Sequence, residues 1–382
     1  MAEPPAPPPD PSPPGVQVRP RRRPILTTAL VVLCTLIFLA FSHLNGWRGI
    51  VSLELLERFW VLRAERIWNG EFRALLAAPF VHVDPFHLAV NMVFLWLIGN
   101  RVERLLGHQT MFAVVFFGAI ISSGCELALG EWAPMVGCSG VICALFGLMV
   151  ALRRRAPMFH HFLRPPMLHV ILGLLALSAL LDLVGLLPVA NVSHLSGLIF
   201  GWAVGHLFFQ GRCRWPAAAA LAALVVLCVM GATWLPFSSH WVAWRYLKAQ
   251  VEGQSARADA VLEHSPFRDD PETLNHIAWR LATSYDKRRR DGARAVELAR
   301  RACEASNWQW PEIIDTLAAA YAESGQWGEA AATSERAVAL LEQLLADETG
   351  AVAPQRKNLL RLMAPSLREN LESIRKGEKI RE

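Results

Sequence analysis

No two cysteines in this chain stand at metal-ligand or disulfide-framework spacing. The 7 are Cys34, Cys125, Cys138, Cys143, Cys213, Cys228 and Cys303, and they read as small apolar residues. That excludes a zinc-stapled or disulfide-stapled domain. No basic face is interleaved with aromatics, which removes the footprint of nucleic-acid binding. No small-residue cleavage site follows the first apolar run, so it reads as a retained span rather than a signal peptide. Charge is also sparse, at 19% against 53% hydrophobic residues, with mean hydropathy +0.29. Such a chain is too apolar for an ordinary soluble domain. The apolar residues crowd between Ile25 and Pro236, and the remainder is polar and rich in Ala, Glu and Arg. The composition therefore predicts an all-α chain: a membrane helix bundle followed by a soluble helical domain.

The formal net charge of +5 matters less than its placement. Arg19, Arg21, Arg22 and Arg23 precede the first apolar run, and Arg153, Arg154 and Arg155 follow another. Such clusters mark the cytoplasmic side. Residues 1–24 are expected to be a disordered proline-rich and arginine-rich tail, 25–214 a membrane domain, 215–238 an additional span and 239–382 a soluble domain. The expected spans are Ile25–Phe41, His87–Gly99, Met111–Leu129, Ser139–Leu152, Leu168–Leu187 and His194–Phe209, with Pro216–Phe237 as a seventh. Each inward-running span ends on arginines, which places the N-terminus in the cytoplasm. Between the first two spans, Leu55, Leu56 and Phe59 with Trp47, Trp60 and Trp68 suggest an amphipathic element in the interface. The soluble part repeats itself: Pro271-Glu272 aligns with Pro311-Glu312, Gly292 with Gly328, Ala295 with Ala330 and Ala302 with Ala337. Small residues at helix crossings and a glycine-containing turn are the pattern of a tetratricopeptide helix pair. Trp241–Glu263 and Gln355–Arg375 are expected to flank the repeats as helices.

The chemistry gathers at Gly137-Cys138-Ser139-Gly140. A serine at a helix start meets the free N–H groups that stabilise developing negative charge. An α-helix from Ser139 to Arg153 rises only about 21 Å, less than the hydrocarbon core, so Ser139 should lie below the outer surface within reach of external water. A nucleophilic serine needs a base, and His194 opens the next inward-running span at a similar depth. Gly140, Ala144 and Gly147 share one face of the first span, and Gly197, Gly201 and Gly205 recur on the other, so their backbones can touch. Gly137, Gly140, Gly197 and Gly201 are the glycines expected to pack at the site. His87 and Asn91 share a helix face and both donate hydrogen bonds, which suits an oxyanion site completed by the Ser139 N–H. His82, Asp84 and His87 form H-x-D-x-x-H, which fits no standard zinc motif. No metal or cofactor is called for.

Four segments, FRALLAAPFVHVDPFHLAVNM, GNRVERLLG, GCSGVICALFG and SHLSGLIFG, stand in order on these spans. Together they resemble the rhomboid family of intramembrane serine proteases over about residues 25–209. The resemblance implies a six-helix core with a Ser139–His194 dyad and an oxyanion hole of His87, Asn91 and Ser139. It implies transmembrane proteins with a single span as substrates, cut near the outer membrane face. Glu103 and Gly107 match the family's E-x-x-x-G, and Arg73 its Trp-Arg motif, with Phe72 in place of Trp. The seventh span and the tetratricopeptide-like domain lie outside the basic family core. The second reading is a catalytically inactive rhomboid-like quality-control or client-binding adaptor, but inactive relatives lack Ser or His and this chain has both. The expected partners are the bilayer, transmembrane substrates and a protein bound by the repeats; the default location is a prokaryotic inner membrane.

Overall fold

The computed structural model describes residues 23–47, 51, 64–129, 136–183, 189–210, 214–233, 238–347 and 352–381. The proline-rich tail, Leu55, Leu56, Phe59 and Trp60 of the interfacial element, and Cys213 lie outside them. Every regular element among the described residues is helical. The chain divides into two compact units, Met1–Asp182 with Leu187–Trp234, and Leu183–Leu186 with Leu235–Glu382.

In the first unit, α1 is Ile25–Leu44, α2 Ala64–Trp68 and α3 Ala74–Ala77, the last running into a 3-10 turn at Ala78–Phe80. Helix α4, Pro85–Phe94, passes through a π turn at Leu95–Gly99 into α5, Asn100–Leu106. Then follow α6 (His108–Leu129), α7 (Ser139–Leu152), α8 (Pro157–Phe162), α9 (Pro165–Leu183), α10 (Asn191–Val204, extended by a π turn at Gly205–Gln210) and α11 (Arg214–Thr233). Among the described residues, five helices are long and apolar enough to cross a bilayer: α1, α6, α9, α10 with its extension, and α11. The α3 turn and α4–α5 pass the same test as a pair bent by 97°, and α7 is a shorter apolar helix. The protein is a multi-pass membrane protein.

Helices begin earlier than the hydropathy pattern predicts. The expected starts at His87, Met111, Leu168 and His194 become Pro85, His108, Pro165 and Asn191. A first turn carries capping and polar residues that an apolar window passes over. Asp84 shows the reason: its side chain accepts the His87 N–H at 2.8 Å, with Pro85 at the first helical position.

Helix α7 is the centre of the bundle. Its buried residues run almost without a gap from Gly140 to Leu152, whereas α9 buries only Ile171. A helix enclosed by protein need not match the thickness of lipid, which lets α7 stop at 14 residues. Its closest neighbour is α10. A Cβ on Gly201 would lie 2.7 Å from the Ala144 carbonyl carbon and 2.9 Å from the Leu148 nitrogen. On the facing helix, a Cβ on Gly147 would lie 3.0 Å from the Trp202 nitrogen, and one on Gly197 would fall against the Gly140 carbonyl. Glycine at these crossings brings the two backbones into direct contact. A second crossing binds α11 to α6, where Gly231 meets the backbone of Gly124 and Ala128.

At the end of the bundle that carries the arginines, Glu103 is fully buried. Its carboxylate accepts the N–H groups of Leu26 at 2.8 Å and Thr27 at 2.7 Å, and the Thr27 hydroxyl at 2.6 Å. It supplies the cap that Pro24 cannot give α1. Gly107 closes the same turn at φ +88°, a conformation that favours glycine. Arg101 donates to the Leu97 carbonyl and lies over the Phe162 ring at 4.1 Å, and Arg155 donates to the Phe209 carbonyl at 2.8 Å.

The second unit contains α12 (Ser239–Val251), α13 (Ser255–Glu263), α14 (Pro271–Thr283), α15 (Gly292–Ala305), α16 (Pro311–Glu323), α17 (Trp327–Ala346) and α18 (Pro354–Arg375). The expected single helix over Trp241–Glu263 is two, broken at Gly253 with φ +72°. The internal repeat is visible as register: α14 and α16 both begin at the aligned prolines. Ala295, Ala302, Ala330 and Ala337 are all fully buried at the crossings of α15 and α17. The two aligned glycines differ: a Cβ on Gly292 would lie 2.8 Å from the Ser324 nitrogen, while Gly328 faces open space. Helix α16 is the core element, buried at Pro311 and from Ile313 to Ala322.

Candidate active site

Ser139 is the first residue of α7, entered through Cys138, whose side chain makes no capping bond. The first N–H groups of a helix have no acceptor within it, so they point outward as donors around the serine. His194 lies in the first turn of α10. The backbone contact between α7 and α10 brings His194 Nε2 to 2.7 Å from Ser139 Oγ. Both residues are half-buried. The other ring nitrogen, Nδ1 of His194, is buried without a hydrogen-bond partner among the described residues. The ring therefore takes its orientation from the helix that carries it, not from a carboxylate behind it.

His87 and Asn91 stand on α4, and Asn91 is buried. The Asn91 amide donates to the His87 carbonyl at 3.1 Å, leaving a second N–H on the same nitrogen. Both side chains close on Gly137, two residues before Ser139. A Cβ at Gly137 would lie 2.7 Å from His87 Nε2 and 3.5 Å from Asn91 Nδ2. Gly137 also has φ +100°, so only glycine suits this position on both counts. Its N–H donates to the Ala78 carbonyl at 3.2 Å, which ties the approach to Ser139 to the turn after α3. Gly137 thus packs against α4 residues, whereas Gly140, Gly197 and Gly201 form the contact between α7 and α10.

His82 is buried, with its ring edge-on to His87 at 5.2 Å and Nε2 at 3.9 Å from Cys138 Sγ. The spacing of His82 from Cys138 in sequence gave no sign of this contact. Among the described residues no group of His, Cys, Asp and Glu is arranged to hold a metal ion. Arg73 pairs with Glu71 at 3.5 Å, and Phe72 beside it is exposed. No motif marks Glu126, Ser122 or Ser193, yet all three are buried, with Glu126 accepting the Ser193 N–H and Ser122 lying against Gly140. A carboxylate inside the apolar run Met111–Leu129 was the available signal.

Residues 69–211 match the family model described as the Rhomboid domain, a span that includes Ser139, His194, His87 and Asn91. Among similar proteins, rhomboid protease GlpG of Yersinia pseudotuberculosis serotype I (strain IP32953) is 29% identical over 185 residues, covering 46% of this chain and 60% of that protein. Rhomboid protease GlpG of Yersinia pestis (strain Pestoides F) is 30% identical over the same length, with the same coverage of each chain. Rhomboid protease GluP of Bacillus subtilis (strain 168) is 25% identical over 270 residues, 69% of this chain and 49% of that protein. The chain thus spans 60% of the length of the GlpG proteins and about half that of GluP. On its motifs, its helix bundle and these matches, residues 69–211 of the chain are similar to the Rhomboid domain of these proteases.

Proposed function

We propose that this protein is an intramembrane serine endopeptidase that cuts single-span membrane proteins near the outer membrane face. The observation that supports this most directly is the 2.7 Å approach of His194 Nε2 to Ser139 Oγ, made between two helices locked backbone to backbone. His194, neutral with its proton on Nδ1, takes the Ser139 proton at Nε2 as Oγ attacks the scissile carbonyl. The negative charge that develops on the carbonyl oxygen is met by the Ser139 N–H, the Asn91 amide and His87. His194 then returns the proton to the leaving amine, and water repeats the sequence to release the acyl group from Ser139. A substrate helix must unwind locally to present its carbonyl, which helix-breaking residues near the cleavage site assist.

The arginine pattern supports a cytoplasmic N-terminus, and the bacterial origin of the similar proteins supports a prokaryotic inner membrane. The repeat register of α14–α17 supports a tetratricopeptide-like domain that binds a protein partner or the soluble part of a substrate. The intact Ser139–His194 pair weighs against the inactive adaptor. The test is cleavage of a generic single-span substrate by purified protein in detergent, with Ser139→Ala in parallel. Cleavage by the wild type alone is expected. Equal cleavage by both would sink the assignment of the nucleophile.

A further inference from the structure

Helix α10 begins without a cap of its own. Its preceding residue is Ala190, which has no side-chain acceptor, yet Ser193 in its first turn is buried in the bundle. The acceptor comes from α6. The Glu126 carboxylate, buried and 67 residues away in sequence, accepts the Ser193 N–H at 2.5 Å. The Val192 N–H faces the same carboxylate. Ser193 is the neighbour of His194. One turn earlier on α6, Ser122 lies against the neighbour of Ser139: a Cβ on Gly140 would be 2.7 Å from Ser122 Oγ and 2.8 Å from Ser122 Cβ. One face of α6 therefore touches the residue beside the serine and the residue beside the histidine. His194 Nδ1 has no partner among the described residues, so the ring is placed by the backbone of this first turn.

We propose that Glu126 is a positioning residue: by holding the Ser193 N–H it fixes the start of α10, and so sets the His194 ring against Ser139. This rests on the Ser139–His194 reading above. Glu103 shows the same device in the same unit, capping α1 from another helix where Pro24 cannot. Glu126 acts through the backbone and touches neither Ser139 nor substrate.

The test uses the purified full-length protein in detergent, with Glu126→Met and Glu126→Gln. Glu126→Met keeps the volume and removes the acceptor. It is expected to lower kcat about tenfold or more with KM within about twofold of wild type, and to slow modification of Ser139 by a fluorophosphonate to the same degree. Glu126→Gln keeps a carbonyl oxygen and is expected to recover kcat to within about threefold of wild type, the residue of losing a charge-assisted bond. Wild-type kcat in folded Glu126→Met overturns the proposal. So does a Gln variant as impaired as the Met variant. Should Glu126→Met fail to fold, Glu126→Asp, which withdraws the oxygens by one methylene, is expected to lower kcat about threefold or more at constant KM; wild-type kcat there overturns the proposal. Ser139→Ala separates the two levels. If that variant cleaves normally, the parent reading falls and this one with it; if it is inactive while the Glu126 variants match wild type, only the role of Glu126 falls.

Discussion

The residues around Ser139 divide by what each can lose. Ser139→Ala removes a hydroxyl from a half-buried position, so the fold should survive while cleavage disappears. His194→Ala takes away the proposed base, and turnover should fall nearly as far. His87→Ala and Asn91→Ala each remove one donor from the proposed oxyanion site and should cost roughly 3–4 kcal/mol of transition-state stabilisation. Turnover and the thermal midpoint measured on the same samples check all four; unchanged turnover in both His87→Ala and Asn91→Ala would remove them from the oxyanion site. The juxtaposition of Ser139 and His194 was legible in the sequence because a histidine or serine that opens an apolar run stands out by its chemistry. Gly137 was legible as a glycine but not as the wall against His87, since its role depends on φ and on a loop contact. Glu126 was visible as a charge, yet its partner is a backbone N–H on another helix, and a backbone group leaves no mark in sequence.

At the scale of elements, the α7–α10 crossing carries both halves of the pair, so it should tolerate no added side chain. Gly201→Val would drive a Cβ into the Ala144–Leu148 backbone, where only a shift of a whole helix gives relief. The cost should reach or exceed the upper end of the roughly 1–3 kcal/mol typical of overpacking, with cleavage lost as well. Gly173 on α9 faces open space, so Gly173→Val should leave the thermal midpoint and activity near wild type. Equal midpoints for the two variants would contradict the packing described. The glycine spacing of this crossing was readable from the sequence. The break at Gly253 was not, because the apolar pattern continues on both sides of it.

The second unit gives a pH signature. Burial pushes the Asp315 carboxyl up to about 7, opposed by the Asn370 amide that donates to it at 2.7 Å. Its folded value lies above the unfolded one, so its stabilising contribution is complete below about pH 4 and is lost as pH rises to about 7. Denaturation of the full chain followed by tryptophan fluorescence should show stability of this unit falling across that window. Asp315→Asn should flatten the difference; an unchanged slope would show that Asp315 does not set it.

For the whole molecule, the succession of apolar helices was legible from hydropathy, and the two compact units divide close to residue 236, where the composition changes. The role of the repeats was not, since a binding surface needs a partner to define it. Seven crossings from a cytoplasmic N-terminus would put the second unit on the outer side, the face on which cleavage is proposed. Cysteine labelling near Gln250 and Glu382 in intact and opened membranes should find both sites reactive from outside. Labelling only after opening would mean that α11 does not cross. The central claim, that Ser139 is a nucleophile activated by His194, is tested most directly by treating the purified protein with a fluorophosphonate and mapping the adduct by peptide mass spectrometry. An adduct on Ser139 in the wild type, lost in His194→Ala while that variant remains folded, is the expected result; substrate cleavage with no adduct on Ser139, or an adduct that forms equally fast without His194, would contradict it.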